Sequence, residues 1–392
     1  MNSNISPSQR VNDIKEYWFA GKMREVARMN AEGLDVVSLG VGGPDRMPAL
    51  EVVETLCDSA KTPGNHSYQI AAGLPELRSA MSGWYKRHYN VDINPDSEVL
   101  PLIGSKEGVL YVGLAFLNPG DKVLVPNPGY MTYTGVNRML GAEVIPYDLN
   151  AESGWQPDFE QLEKIASGGG VKLMWVNYPN MPTGALASKD LFKRLIDFGR
   201  RHNIVIAHDN PYSFILNDNP MSLLEIEGAK EIAIELNSLS KSHNMAGWRM
   251  GMVCSNPDFI TWIRKMKSNV DSGQFKPVME AAIKALNLED SWYSELNKVY
   301  ASRRKVAEKI MIALGCTFDE KQRGLFLWGK LPEGTPDSAS FADRVLHEAR
   351  VFIVPGFIFG SNGEGYLRIS LCATEEKMEE ALRRIEKMMN LK

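Results

Sequence analysis

The chain has 392 residues, of which 44% are hydrophobic and 23% are charged, and its formal net charge is −4. This composition is typical of a folded protein with two or more structural units. The isoelectric point near 6.0 argues against nucleic-acid binding, which usually shows as a basic domain.

The cysteines indicate neither a metal site nor a disulfide framework. The four of them lie far apart, without a CxxC pair or a Cys/His cluster, at Cys57, Cys254, Cys316 and Cys372. We therefore expect no metal and a reducing, cytoplasmic compartment. The polar N-terminus lacks the apolar core of a signal peptide, and no apolar run is long enough to span a bilayer, so no membrane association is predicted.

The predicted elements begin with a helix over residues 22–31, followed by the strand-like run VVSLGVG. A helix follows over residues 49–61, and another begins near Pro75, a residue that suits an early helical position. Between residues 99 and 255, helical patterns alternate with seven apolar runs: VLPLI, KVLVP, EVIPY, KLMWV, IVIAH, AIELN and MGMVC. One of these helices covers 188–201, with Ser188 as its candidate N-cap.

Short, continuously apolar strands separated by helices predict an α/β fold with a mostly parallel sheet flanked by helices. Residues 256–310 have a helical pattern, and a smaller α/β unit with an amphipathic last helix from Thr374 follows. We predict three parts: an N-terminal segment, residues 1–45, packed on the small domain; a large domain, residues 46–280; and a small C-terminal domain, residues 281–392.

The run SLSKSHNMAGWR places Lys241 between Ser238 and Arg249. A lysine attacks a carbonyl only after it loses its proton, which desolvation and a nearby cation favour. The flanking hydroxyl and guanidinium are suited to hold a phosphate. The run therefore indicates a lysine that forms a Schiff base with a phosphorylated aldehyde. The alternative is a solvated loop lysine beside a salt-bridging arginine.

Three further segments follow predicted strands and supply groups that pyridoxal phosphate requires. Asn180, in NYPNMPTG, is either a donor to the cofactor's phenolic oxygen or a turn asparagine. Asp209, which ends a strand, either pairs with the pyridine nitrogen or caps a helix, and Tyr212 is a second candidate for the phenolic oxygen. Ser105 and Lys106, in GSKEG, begin a helix whose free N–H groups make an anion site.

Taken in order, these segments resemble the class I and II aminotransferases of fold type I, the aspartate aminotransferase superfamily. The resemblance covers nearly the whole chain. It includes GVGGPD at 40–45, Tyr68 with GLPELR at 73–78, PNPGY ending at Tyr130, and GEGYLRIS around Arg368. Within the superfamily, the chain is most similar to the diaminopimelate and aspartate/methionine aminotransferases of prokaryotes.

The resemblance implies that the large domain binds pyridoxal phosphate and that the protein is a homodimer acting on an amino acid and a 2-oxo acid. It implies that Lys241 binds the cofactor and carries a proton, and that Asp209 pairs with the pyridinium. The implied contacts to the rest of the ring are Tyr130 on its face and Asn180 and Tyr212 at the phenolic oxygen.

The implied phosphate contacts are Ser105, Lys106, Ser238, Arg249 and, from the neighbouring subunit, Tyr68. Arg368 is implied to fork onto the substrate α-carboxylate, which Asn180 and the backbone of Gly42 also contact. Three positions depart from the usual family residues, which are asparagine, an acidic residue and glutamate: Met181, Asn210 and Gly43.

Three functions are compatible with these motifs. The first is transamination. The second is β-elimination by a carbon–sulfur lyase, which would use the same lysine and aspartate. The third, a non-enzymatic regulator, needs an added DNA-binding segment, and the short stretch before GVGGPD is not basic.

For transamination, the extra cation Lys106 favours donors with a charged distal end, such as aspartate, glutamate or diaminopimelate. The alternative is that Lys106 serves only the phosphate.

Overall fold

The computed structural model describes residues 5–13 and 18–390. Residues 1–4 and 14–17 of the predicted N-terminal segment, and residues 391–392 of the predicted small domain, lie outside the described residues. The strands are β1 (Val37–Ser38), β2 (Val99–Leu102), β3 (Lys122–Asn127), β4 (Glu143–Asp148), β5 (Val171–Val176), β6 (Val205–Asp209), β7 (Ala233–Ser238), β8 (Gly251–Cys254), β9 (Phe326–Lys330), β10 (Val351–Phe352), β11 (Val354–Pro355) and β12 (Tyr366–Ser370). The α-helices are α1 (Gln9–Asp13), α2 (Trp18–Ala31), α3 (Leu50–Ala60), α4 (Pro75–Tyr89), α5 (Ser105–Phe116), α6 (Met131–Met139), α7 (Phe159–Ser167), α8 (Lys189–His202), α9 (Leu239–Ser242), α10 (Pro257–Lys267), α11 (Lys276–Leu286), α12 (Ser291–Ala313), α13 (Ser338–Arg344) and α14 (Glu375–Asn390).

The largest sheet of the described chain has seven strands in the order β2-β8-β7-β6-β5-β3-β4. The pairs from β7 through β4 are parallel, and β8 is antiparallel to both of its neighbours, β2 and β7. Helices α4, α5, α6 and α8 contact these strands. All seven apolar runs form this sheet, which confirms the predicted mostly parallel α/β fold.

Local chemistry explains where these elements begin and end. Strand β5 buries every residue except Lys172, as expected for a strand covered on both faces. Ser188 caps α8 as predicted, because its hydroxyl accepts a hydrogen bond of 3.0 Å from the Leu191 amide. The same helix ends at Asn203, whose left-handed conformation stops it.

A second, three-stranded antiparallel sheet has the order β11-β12-β9. The N-terminal part of the chain joins this region, because β1 pairs in parallel with β10. The predicted helical stretch 256–310 forms three helices, α10, α11 and α12, with breaks at 268–275 and 287–290. The first break contains Gly273, at a φ of +87° that L-residues rarely adopt. The last helix, α14, follows the sheet as predicted.

The apolar side chains of the described chain form two buried clusters on the faces of the large sheet and between the two sheets. Across residues 5–13 and 18–390, no helix has the length and apolarity that crossing a bilayer demands.

Candidate active site

A cavity of about 430 Å³ lies at the carboxyl ends of β5, β6 and β7 and extends to the three-stranded sheet. Ligands bind at this edge in open α/β sheets, because the loops after parallel strands meet there. Ten of the twelve predicted site residues line it: Gly42, Ser105, Lys106, Tyr130, Asp209, Tyr212, Ser238, Lys241, Arg249 and Arg368. The exceptions are Asn180 and Tyr68.

Lys241 is presented by the short helix α9, which follows β7 directly. Ser238 caps this helix, since its hydroxyl accepts from the Ser240 amide at 3.2 Å. The Nζ of Lys241 donates to the carbonyl oxygen of Gly42 at 2.5 Å. Burial lowers the pKa of Lys241, and the positive charges of Arg368 and Arg249 lower it further. The arrangement favours a lysine that gives up its proton.

Asp209 ends β6 inside the cavity and is 5% exposed. Its Oδ2 accepts a hydrogen bond from the hydroxyl of Tyr133 at 2.8 Å, and its backbone oxygen accepts one from the side-chain Nδ2 of Asn177 at 2.7 Å. Its other carboxylate oxygen, Oδ1, is buried without a hydrogen-bond partner among the described residues. Burial raises the pKa of Asp209 to about 6. A buried carboxylate oxygen of this kind is suited to pair with a cationic N–H group of a ligand.

The cavity also contains an anion-binding end, built where β2 leads into α5. Gly104 precedes the helix at a φ of +77°, and a Cβ there would meet the guanidinium of Arg249 at 2.1 Å. Glycine therefore allows Arg249 to lie against the helix N-terminus. Ser105 begins α5, Ser238 ends β7, which is separated from β2 by β8, and both line the cavity. Free helix N–H groups, hydroxyls and a guanidinium together match a phosphate.

Arg368 enters the cavity from β12 in the smaller sheet. Its Nη2 donates to the carbonyl oxygen of Gly40 at 2.9 Å, and its Nη1 lies 3.3 Å from the sulfur of Met181. Its guanidinium carbon stands 4.0 Å from the ring centroid of Phe326 and 4.7 Å from that of Phe359. These two cation–π contacts favour a defined orientation of the planar guanidinium.

Asn180, predicted to contact the cofactor and the substrate, is not among the described residues that line the cavity. Its Nδ2 donates to the Asn177 carbonyl at 3.2 Å, and its Oδ1 accepts from the amide and the hydroxyl of Thr183. The turn therefore engages both the nitrogen and the oxygen of the side-chain amide, as expected if Asn180 is a turn asparagine. Its neighbours in the same motif, Asn177 and Met181, line the cavity instead.

The three predicted tyrosines occupy different environments. Tyr212 lines the cavity with its ring 5.7 Å from that of Phe326, and burial raises its pKa. Tyr130 lines it beside Tyr133, with the two rings edge to face at 5.5 Å. Tyr68 is 93% exposed and lies outside the cavity of its own chain.

Several cavity residues were not predicted from the sequence: Phe19, Val41, Tyr133, Asn177, Phe326, Ile358 and Phe359. Tyr133 follows Tyr130, the N-cap residue of α6, by three residues, and Asn177 opens the NYPNMPTG motif, so both lie beside residues that the sequence had singled out. The apolar ones come from distant segments and resemble ordinary core residues in the sequence.

Comparison with known proteins agrees with this geometry. The family described as aminotransferase class I and II matches residues 34–385. The LL-diaminopimelate aminotransferase of Dehalococcoides mccartyi (strain ATCC BAA-2266 / KCTC 15142 / 195) is 41% identical over 387 residues, which cover 98% of each chain. That of Aquifex aeolicus (strain VF5) is 40% identical over 384 residues, which cover 97% of this chain and 98% of the relative. The substrate-bound structure of BacF from Bacillus subtilis is similar with a TM-score of 0.92 and 35% identity, covering 98% of each chain.

The chain belongs to the class I and II aminotransferases. It is an amino acid aminotransferase, and these relatives do not favour the carbon–sulfur lyase alternative. Members of this family depend on pyridoxal phosphate, so that cofactor is expected here.

Proposed function

We propose that the cavity binds pyridoxal phosphate and transfers an amino group from an amino acid to a 2-oxo acid. The observation that carries this proposal is the pair formed by Lys241 and Asp209 in one cavity. The lysine has a lowered pKa, and the carboxylate has one buried oxygen without a partner among the described residues. When bound, the cofactor supplies the electron sink for cleavage at the amino acid α-carbon.

The anion-binding end fits the cofactor's phosphate. Ser105, Ser238, Arg249 and the α5 N-terminus present hydroxyl, guanidinium and amide donors there, and Lys106 lies beside them. Asp209 would pair through Oδ1 with the pyridine nitrogen, and Tyr133 holds the carboxylate in place for that contact. An ionised carboxylate there keeps the ring nitrogen protonated.

Two tyrosines complete the ring site in this proposal. Tyr212 would donate to the phenolic oxygen, and Tyr130 would cover one face of the ring. Asn180 has no part in it, since its amide is engaged in its own turn.

Lys241 would bind the cofactor and then carry the proton between the substrate α-carbon and the cofactor at Nζ. Its lowered pKa favours the neutral amine, which can accept that proton. Arg368 would orient the substrate through two parallel bonds to the α-carboxylate, and the Gly42 loop would support the same group.

Borohydride reduction of the cofactor-loaded protein, followed by peptide mapping, tests the cofactor site. The label should appear on Lys241. Lys267 is an internal control, because it is a buried lysine outside the cavity, paired with Asp271 at 2.6 Å. A label on another lysine, or none, contradicts the proposed site. Transamination is then distinguished from elimination by product formation that requires an acceptor 2-oxo acid and releases no ammonia.

We also propose a homodimer in the cytoplasm. Tyr68 supports the dimer because it is exposed and offers a hydroxyl to a second copy of the chain. The absence of disulfides among the four cysteines, all in the described part of the chain, supports a reducing compartment. Light scattering should give twice the chain mass, and Tyr68→Phe should weaken cofactor binding. A fully active monomer contradicts the dimer.

The donor class has two candidates. The LL-diaminopimelate aminotransferases among the relatives and the extra cation Lys106 favour a donor with a charged distal end. The composition of the cavity wall favours the other class, an apolar donor.

A further inference from the structure

Under the proposed function, most charged side chains of the cavity already have a role. The described residues that line it include four cations and one carboxylate: Lys106, Lys241, Arg249, Arg368 and Asp209. The cofactor takes three of these groups, Lys241, Asp209 and Arg249, and the substrate α-carboxylate takes Arg368. No carboxylate of the described lining is left for a second ammonium group, and only Lys106 remains for a second carboxylate.

Lys106 is poorly placed to select a charged side chain. It is exposed, and it lies in the first turn of α5 beside the anion-binding end. Arg368 lies on β12, in the other sheet. An exposed lysine stays hydrated, so its ion pair with a substrate carboxylate contributes little to binding.

The wall around Arg368 is apolar. The N-terminal part of the chain and the small-sheet region contribute Phe19, Val41, Gly42, Gly43, Phe326, Ile358, Phe359 and Arg368 to the cavity. Within the described residues, Arg368 is thus the only polar side chain on that side. The Met181 sulfur, 3.3 Å from the Arg368 Nη1, extends the apolar surface to the large sheet.

Phe19 closes this wall from helix α2, which is fixed to the small-sheet region. Lys22 pairs with Asp343 at 2.6 Å. The rings of Trp18 and Phe357 meet edge to face at 5.7 Å, and those of Phe19 and Phe352 are also 5.7 Å apart. Since these contacts anchor the helix on both sides of Phe19, its ring has a defined place in the cavity.

We propose that the amino donor carries an uncharged, apolar side chain, such as that of methionine, leucine or phenylalanine, and that Phe19 determines this specificity. The inference rests on the proposed function. Each CH₂ buried against the wall improves binding about fourfold. A charged side-chain end there loses its hydration without gaining a buried partner, which opposes binding.

Half-reaction kinetics of the cofactor-loaded enzyme test the donor class. Methionine and leucine should have second-order rate constants at least about tenfold above those of glutamate and LL-diaminopimelate. The reason is that their side chains can bury two or more CH₂ groups against the apolar wall, each of which improves binding. A higher constant for glutamate or LL-diaminopimelate than for methionine overturns the inference while leaving the aminotransferase intact.

Unreactive carboxylates give a readout that does not need turnover. Calorimetry should show isocaproate binding at least about fourfold more tightly than glutarate, because only the first has an apolar end. Tighter binding of glutarate contradicts the apolar wall. If no amino acid reacts at all, the proposed function fails, and this measurement still decides the inference.

Phe19→Ala should lower the ratio of the methionine and alanine rate constants about tenfold, since alanine hardly reaches the wall. Phe19→Leu should restore most of that ratio. Phe116→Ala is the matched control, because this half-buried phenylalanine packs on Phe259 of α10, outside the cavity. The assignment to Phe19 is refuted if its alanine variant keeps the parent ratio.

Discussion

Arg303 holds Asp45 with both terminal nitrogens: Nη1 lies 2.7 Å from Oδ1, and Nη2 lies 2.8 Å from Oδ2. The arginine belongs to α12, and the aspartate ends the loop segment 40–45, GVGGPD, which carries Gly42. Arg368 binds the other end of this loop through the Gly40 carbonyl. The loop that faces Lys241 is therefore fixed at both ends by arginines from the C-terminal part of the chain.

Arg303→Lys should weaken this attachment, because an ammonium cannot reproduce the two parallel bonds of the guanidinium. We expect KM for the amino donor to rise about tenfold with a smaller change in kcat, since the loop orients the α-carboxylate. Steady-state kinetics measure the changes in KM and kcat separately. Arg383→Lys is the control, since its exposed pair with Glu380 on α14 contributes only about 0–1 kcal/mol. An equal effect in both variants would argue against a positioning role.

Lys241→Ala should lower kcat by a factor of about a hundred to ten thousand, the range lost when a general acid–base group is removed. The protein should still bind pyridoxal phosphate without a covalent bond, because the phosphate donors remain. Absorbance after gel filtration measures the retained cofactor. Lys284→Ala, which removes a half-exposed lysine paired with Glu51, should behave as the parent. Turnover of the Lys241 variant at near the parent rate would refute the assignment.

Asp209→Asn should have opposite effects on the cofactor-free and cofactor-loaded protein. Burial raises the pKa of Asp209 from an ordinary value of 3.8 to about 6. Between these values the folded state holds the proton more tightly, so the stability of the cofactor-free parent falls as pH rises from about 4 to 6. The loss is about 3 kcal/mol, since one pKa unit corresponds to about 1.4 kcal/mol.

The cofactor-free Asp209→Asn variant should therefore be more stable than the parent by about 2–3 kcal/mol at pH 7.5. The difference should vanish near pH 4, where the parent carboxyl is protonated. Urea unfolding at the two pH values measures this. In the loaded protein the variant should bind cofactor more weakly and react more slowly. Equal stability of variant and parent at pH 7.5 contradicts the buried, ionised carboxylate.

Arg368→Lys should raise KM for every amino donor by a similar factor of about ten or more, because a lysine gives up the bidentate contact that the α-carboxylate receives. Amines without an α-carboxylate should be poor substrates of the parent enzyme. A donor panel with the matched decarboxylated amines measures both effects. If those amines react as fast as the amino acids in the parent, Arg368 does not hold the carboxylate.

The sequence by itself determined the strand and helix pattern of the large sheet and most of the charged and polar residues that line the cavity. Seven apolar runs, each short and bounded by turn or helix signals, became seven strands. Lys241, Asp209 and Arg249 could be predicted to lie in one cavity because each belongs to a local motif that follows a strand, where the topology of a parallel sheet brings loops together. The sequence contains no comparable motif that predicts the order of the strands or the antiparallel direction of β8.

Only the tertiary structure decided which side chains face the cavity. Asn180 lies in the right motif but points into its own turn, because Thr183 and the Asn177 carbonyl satisfy its amide locally. Phe19 carries no motif, yet α2 places it in the cavity through packing on the small-sheet region. A residue's direction depends on contacts between segments far apart in the chain, and the linear pattern of polar and apolar residues does not encode those contacts.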